Sequence, residues 1–214
     1  MPTLMDILGV LLILTNLRLL GSSELTACIR AVALQAIILG AAALLVNAAG
    51  LDARLVAIVL VSTVLKAGVL PWLLRRAIRE AGALREIEPF IGFTASLLAG
   101  LALLGLCFLI GSRLSASVVA GTDLLVPVAL FTTVTGLLVI VSRRKAVTQV
   151  LGYLGMENGI YAFGMAFAIQ EPLLVEMGVL LDVFVAVFVM GITIYHISRQ
   201  FDHIDTDRLS ALRD

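Results

Sequence analysis

The chain has 214 residues, of which 61% are hydrophobic and 14% charged, with a formal net charge of zero and a mean hydropathy of +1.11. That composition excludes a soluble globular domain, and the neutral balance gives no bulk attraction to nucleic acid. A membrane-crossing helix takes about 20 apolar residues, so the length holds seven short-looped spans and leaves no room for a soluble catalytic domain.

In chain order, the apolar runs place spans at residues 4–20, 25–49, 55–74, 90–110, 124–141, 147–169 and 173–197, followed by a polar tail over 199–214. The first run ends in Gly-Ser-Ser as a signal peptide would, but no basic stretch precedes it, and it is read as a short span. The second run contains Gln35, and the third contains Lys66 with Pro71 five residues further on. Proline frees a carbonyl about one turn upstream. A loosened backbone beside a buried lysine is a place for the water that a proton relay needs; a plain kink is the other reading. The longest connection, residues 75–89, reads RRAIREAGALREIEP. The helical spacing of its charges, Arg75 with Arg79 and Glu80 with Arg85 among them, predicts a helical extension that is solvated or faces a partner.

Orientation follows from the 15 lysines and arginines. Twelve fall on one set of connections, only Arg54 and Arg113 on the other, and Lys66 within a span. Basic residues mark the cytoplasmic side, so the N-terminus is expected outside and the C-terminus in the cytoplasm. The alternation needs an odd number of spans. Cys28 and Cys107 form no CxxC pair and fall near opposite faces of the membrane, which argues against a disulfide and for two embedded free thiols.

The last two spans each carry a carboxylate deep in apolar sequence, Glu157 and Asp182. On insertion scales each costs roughly 2.5–3.5 kcal/mol. With Lys66, they fall roughly 13–17 Å into the membrane at the rise of an α-helix. A cation and two anions at one level offset one another's desolvation and form a chain of titratable sites able to pass a proton sideways. A structural ion pair that fixes helix packing is the plainer reading. Tyr153 and Tyr161 lie one turn either side of Glu157 on its face, within reach of the carboxyl directly or through a water. Gly152, Gly155, Gly159 and Ala162 form a small-residue stripe on another face, where a second helix can approach closely. Glu176, nearer the outer face, is either the mouth of a half-channel or a water-facing residue, and Glu171 with Pro172 reads as a turn. His196 and His203 are not placed for haem ligation, and the chain has no cysteine set for an iron–sulfur cluster, no GxGxxG and no P-loop. No catalytic residue, metal ligand or cofactor is therefore expected in this chain.

These residues also carry a resemblance. The run 126–198 is similar to the small three-helix K subunit of bacterial complex I: an apolar span, a basic inner link SRRKAVTQ (142–149), a span opening LGYLGMENG (151–159), and a third span with an embedded acid. In that family two intramembrane carboxylates belong to a proton pathway; Glu157 matches the first and Asp182 the second. Aspartate stands here where that family usually has glutamate, and the outer link is shorter. The whole chain resembles component E of hydrogenase-4, a membrane subunit of formate hydrogenlyase-type complexes, still more closely. The carriers are STVLKAGVLPWLLRRAI (62–78), the GYLGMENG segment, PLLVEMGVLLDVFVAVFVMGI (172–192) and the tail HIDTDRLSALRD (203–214); residues 1–61 match in hydrophobic pattern alone. KAGVLP also echoes the lysine-bearing helix of antiporter-like complex I subunits.

The resemblance implies a subunit without redox centres. It would join antiporter-like and quinone-subunit-like membrane partners to a soluble arm whose hydrogenase-like and iron–sulfur subunits hold the nickel–iron and iron–sulfur centres. The expected protein is all-α and integral to a bacterial or archaeal cytoplasmic membrane, with seven transmembrane helices. Residues 1–122 form a four-helix region, 123–198 a three-helix subunit K-like region and 199–214 a polar cytoplasmic tail. It is not an enzyme by itself but lends Glu157, Asp182 and Lys66, with Tyr153, Tyr161 and Glu176 as accessories, to a proton or cation pathway. The competing readings are a subunit of a multi-subunit cation/proton antiporter and a structural spacer bundle.

Overall fold

A computed structural model of the chain describes residues 2–48, 52–80, 90–114 and 124–167, with the single positions Val185, Val187, Val189 and Gly191. Every element in them is helical: α1 (Pro2–Gly21), α2 (Leu25–Val46), α3 (Ala53–Val64), a π-helical segment (Leu65–Val69), α4 (Leu70–Glu80), α5 (Phe93–Leu114), α6 (Leu125–Ser142) and α7 (Ala146–Ala166). The segments α3, π and α4 run on as one rod, so the described residues form six rods. Five of these are long and apolar enough to cross a membrane, among them the 27-residue stretch Ala53–Arg79. The sixth, α7, has 21 residues; Gln149, Glu157, Asn158 and its glycines lower its apolarity. Of the expected seventh span, Val185, Val187, Val189 and Gly191 are helical. Asp182, Glu176, Glu171, both histidines and the tail lie outside the described residues.

The helices begin and end where the backbone finds local acceptors. The Glu24 carbonyl accepts from the N–H groups of Ala27 and Cys28 to start α2. The Asn47 side chain donates to the Ala43 carbonyl at the end of that helix, at 2.9 Å, which closes it earlier than the expected boundary at residue 49. The third span, expected to end at 74, continues as helix to Glu80, the first part of the helical extension expected over 75–89. The reason is its pattern: Leu70, Leu73, Leu74, Ala77 and Ile78 recur at helical spacing and are all buried, so packing carries the helix beyond the apolar run.

The α6–α7 pair makes the most extensive helix contact, with α1, α2 and α5 packed around it and the third rod against α2. Glycines allow the close approach. A Cβ at Gly152 would lie 2.8 Å from the Gly136 carbonyl oxygen, and one at Gly159 would lie 2.8 Å from Thr133 Cα. The partner of the stripe on α7 is thus α6. Gly155 instead borders Leu19 and Gln35.

Two apolar clusters fill the interior. One includes Leu20, Ile29, Leu74, Ile78 and Leu151, together with Val185 and Val189. The other includes Leu12, Leu39, Val126, Ala129 and Ala162. In each of α1, α2, α6 and α7 a buried polar residue lies between the two clusters: Asn16, Gln35, Thr132, and Glu157 with Asn158. The bundle is therefore layered apolar, polar, apolar along its length. Near one end Arg143 is 1% exposed. Its guanidinium donates to the Leu20 carbonyl at 2.7 Å and stacks 4.3 Å from the centre of the Phe93 ring. A residue that reads in sequence as a loop charge is here a buried clamp joining α1, α5 and α6. Cys28 and Cys107 are buried free thiols.

Candidate functional site

The polar layer holds an ion pair. Lys66 Nζ donates to Glu157 Oε1 at 2.7 Å, with side-chain exposures of 13% and 9%. Each residue is deep in its helix. Lys66 is on the π-helical segment between α3 and α4, and Glu157 is midway along α7. Pro71 explains the irregularity at Lys66. Its ring supplies no N–H, so a carbonyl one turn upstream loses its helical donor, and the Leu70 N–H bonds five residues back to Leu65. π-helical turns of this kind are frequent at functional sites. The loosening expected from Pro71 is therefore present, beside the lysine.

Next to the pair is a cavity of about 20 Å³ between α2, the third rod and α7. Its lining includes Gly40, Ser62, Thr63, Lys66, Asn158 and Tyr161. A water molecule needs about 10–15 Å³ by that measure and two to four polar partners; three hydroxyls, an amide and the ammonium supply them. Gly40 lets Thr63 approach α2 closely, since a Cβ there would collide with the threonine side chain. The second carboxylate oxygen, Oε2 of Glu157, is buried and has no hydrogen-bond partner among the described residues. A buried acceptor without a donor costs about 1–3 kcal/mol, so among the described residues this oxygen is a position that a donor or a proton would stabilise.

The two tyrosines separate. Tyr161 lines the cavity and has Lys66 Nζ 5.9 Å from its ring centre. Tyr153 packs against the first apolar cluster. Neither phenol donates directly to the carboxylate, whose bonded oxygen is taken by Lys66. Of the expected site residues, the structure thus joins Lys66, Glu157 and Tyr161, sets Tyr153 to one side, and leaves Asp182 and Glu176 outside the described residues.

A second feature, of which the sequence reading noted Gln35 alone, is a line of buried amides. Asn158 Nδ2 donates to Gln35 Oε1 at 3.4 Å, Gln35 Nε2 to Asn16 Oδ1 at 2.8 Å, Asn16 Nδ2 to Thr132 Oγ1 at 2.7 Å, and Thr132 to the Val128 carbonyl. This line crosses α7, α2, α1 and α6, and its four side chains are at most 2% exposed. It fixes the rotation of α7, and Asn158 adjoins Glu157 in sequence. The available signal was an amide in each of the first two apolar runs. A search for charges passes over amides, although both are costly in lipid without a partner.

Known proteins are similar to this chain in sequence. Residues 124–214 match the family model for NADH-ubiquinone/plastoquinone oxidoreductase chain 4L. The chain is similar to the uncharacterized protein Rv0085 of Mycobacterium tuberculosis, with 35% identity over 204 residues, 95% of this chain and 93% of that protein. It is also similar to hydrogenase-4 component E of Escherichia coli K12, with 36% identity over 118 residues, 55% of this chain and 54% of the relative. The component E of Shigella flexneri aligns to the same extent. The chain thus spans about half the length of the component E relatives that it matches. No solved structure matches it.

Proposed function

We propose, given that this chain belongs to one family with the mycobacterial protein and that its C-terminal part matches chain 4L, that it is a membrane subunit of a complex I-like oxidoreductase. More finely, it is the non-redox subunit of a hydrogenase-4 or formate hydrogenlyase-type complex and lends titratable groups to a proton or cation pathway. Its partners are antiporter-like and quinone-subunit-like membrane subunits and a soluble arm with hydrogenase-like and iron–sulfur subunits, where the nickel–iron and iron–sulfur centres belong. The host membrane is a prokaryotic cytoplasmic membrane.

The observation that carries the reading is the Lys66–Glu157 pair beside a water-sized cavity in the polar layer. A pair that only fixes packing needs neither a cavity nor an open carboxylate oxygen. In the proposed mechanism, redox work in the soluble arm changes charge or hydration along the membrane arm. A proton arriving on Oε2 of Glu157 weakens the hold on Lys66, and the lysine's proton is then free to leave through the cavity hydroxyls. Asp182, the second acid of the resemblance, is the proposed next station, with Glu176 nearer the outer mouth.

The test is Glu157→Gln and Asp182→Asn in the assembled complex, with redox-coupled proton movement as the readout. Loss of proton movement while the complex stays whole supports the reading; unchanged movement in both variants leaves a spacer bundle. Purification of the complex separates the remaining alternative, because an antiporter assembly carries no iron–sulfur proteins.

A further inference from the structure

The third rod has a continuous outward stripe whose chemistry changes along its length. Val61 and Val64 are 57% and 61% exposed. Gly68 follows at helical spacing, and nothing lies within 4 Å of a Cβ built on it. Then come Trp72, 58% exposed, and the exposed Arg75, Arg76 and Arg79, which with Trp72 line a shallow open recess. The Arg76 guanidinium lies 6.0 Å from the centre of the Trp72 ring. The opposite face of α4 is buried in the first apolar cluster, and the outward stripe takes no part in that packing among the described residues.

Depth follows from Lys66 in the polar layer. At the helical rise, Arg75 lies about 14 Å and Arg79 about 20 Å further toward one membrane face. The hydrocarbon half-thickness is about 15 Å, so the backbone of Arg75 stands at the hydrocarbon edge and that of Arg79 beyond it, with both guanidiniums able to reach the phosphates, while Trp72, about 9 Å up, extends its ring toward the interface from beneath them. Neither Arg75 nor Arg79 pairs with a carboxylate among the described residues. Guanidinium groups match phosphate with two parallel hydrogen bonds.

We propose that Trp72, Arg75, Arg76 and Arg79 form a binding site for the phosphodiester headgroup of an anionic phospholipid, with an acyl chain laid along Gly68, Val64 and Val61. The apolar half of the stripe favours a lipid over a free phosphate or an acidic protein segment. Each of those would use the arginines and leave the valines and the glycine gap without purpose.

Trp72 is the sole tryptophan of the chain, so it reports on its own surroundings. The full-length chain in phosphatidylcholine vesicles is titrated with phosphatidylglycerol brominated on its acyl chains, and quenching of Trp72 is compared with that by brominated phosphatidylcholine. The expected result is about tenfold tighter association of the anionic lipid, lost at high salt. Arg75→Gln with Arg79→Gln abolishes the preference, whereas Arg113→Gln at the other end of the membrane leaves it. Both arginines are exposed, and an unchanged thermal midpoint confirms that the double variant is folded. Equal quenching by the two lipids overturns the proposal. So does displacement by submillimolar glycerol phosphate, which assigns the recess to a free phosphate, or by submillimolar hexaglutamate, which assigns it to an acidic segment of a protein.

Discussion

Glu157 and Lys66 have few neutral ways to change. Their 2.7 Å contact in a buried layer means that removal of Lys66 leaves the carboxylate without its cation, and removal of Glu157 takes its carboxylate from the ammonium. Breaking a buried pair typically costs about 3–5 kcal/mol, whereas replacing both members by apolar groups of similar size is often nearly neutral. Lys66→Met and Glu157→Met are each expected to lower the unfolding free energy of the solubilised protein by about that amount, and the double variant by much less. The measurement is denaturant unfolding in detergent. A double-variant loss equal to the sum of the singles would show that the two side chains do not interact. The proposed pathway predicts a different outcome for function, since the double variant restores stability and leaves proton movement abolished. The amide line is a smaller matter. Interhelical hydrogen bonds in membranes average about 0.6 kcal/mol, so Asn16→Leu is expected to cost about 0.5–2 kcal/mol by the same assay, through loss of its bonds to Thr132 and Gln35.

At the scale of elements, α7 divides its labour by face. Gly152 and Gly159 meet α6, Asn158 meets α2, and Glu157 meets the third rod. Helices in lipid associate through close van der Waals packing, which a single Cβ between backbones spoils. Gly152→Ala and Gly159→Ala are expected to destabilise the bundle by about 1–3 kcal/mol each through overpacking. Gly164→Ala on the same helix, where nothing lies within 4 Å of the added carbon, is expected to be neutral or mildly stabilising. Thermal unfolding of the three variants distinguishes packing from propensity, because propensity alone favours alanine at every position. The third rod divides its labour along its length: a lining of the cavity in α3, a π-helical turn at the lysine, and an amphipathic α4 that anchors the rod to the first cluster.

For the whole molecule, the described interior is layered apolar, polar and apolar, and the expected orientation across the membrane rests on the basic residues. The orientation read from the arginines predicts outcomes at two exposed positions. In a Cys28→Ser/Cys107→Ser background, Arg113→Cys is expected to react with an impermeant maleimide on intact cells, and Arg144→Cys only after the membrane is opened. The reverse pattern would invert the proposed topology and move the lipid site to the outer leaflet.

The sequence by itself determined the six helical rods of the described residues, their approximate ends, the mid-helix places of Lys66 and Glu157, the close-packing face of α7 and the loosened turn ahead of Pro71. Each of these is set by local physics: the apolar length needed to cross lipid, the missing proline N–H, and the steric allowance of glycine. The tertiary structure decided which distant groups meet. It joined Lys66 to Glu157 across 91 positions, linked Asn16, Gln35, Thr132 and Asn158 into one line, and turned Arg143 from a loop charge into a buried clamp. Side-chain partnership depends on the rotation and register of neighbouring helices. In lipid those are chosen by polar groups that must find one another, and no single apolar run records which others they will find.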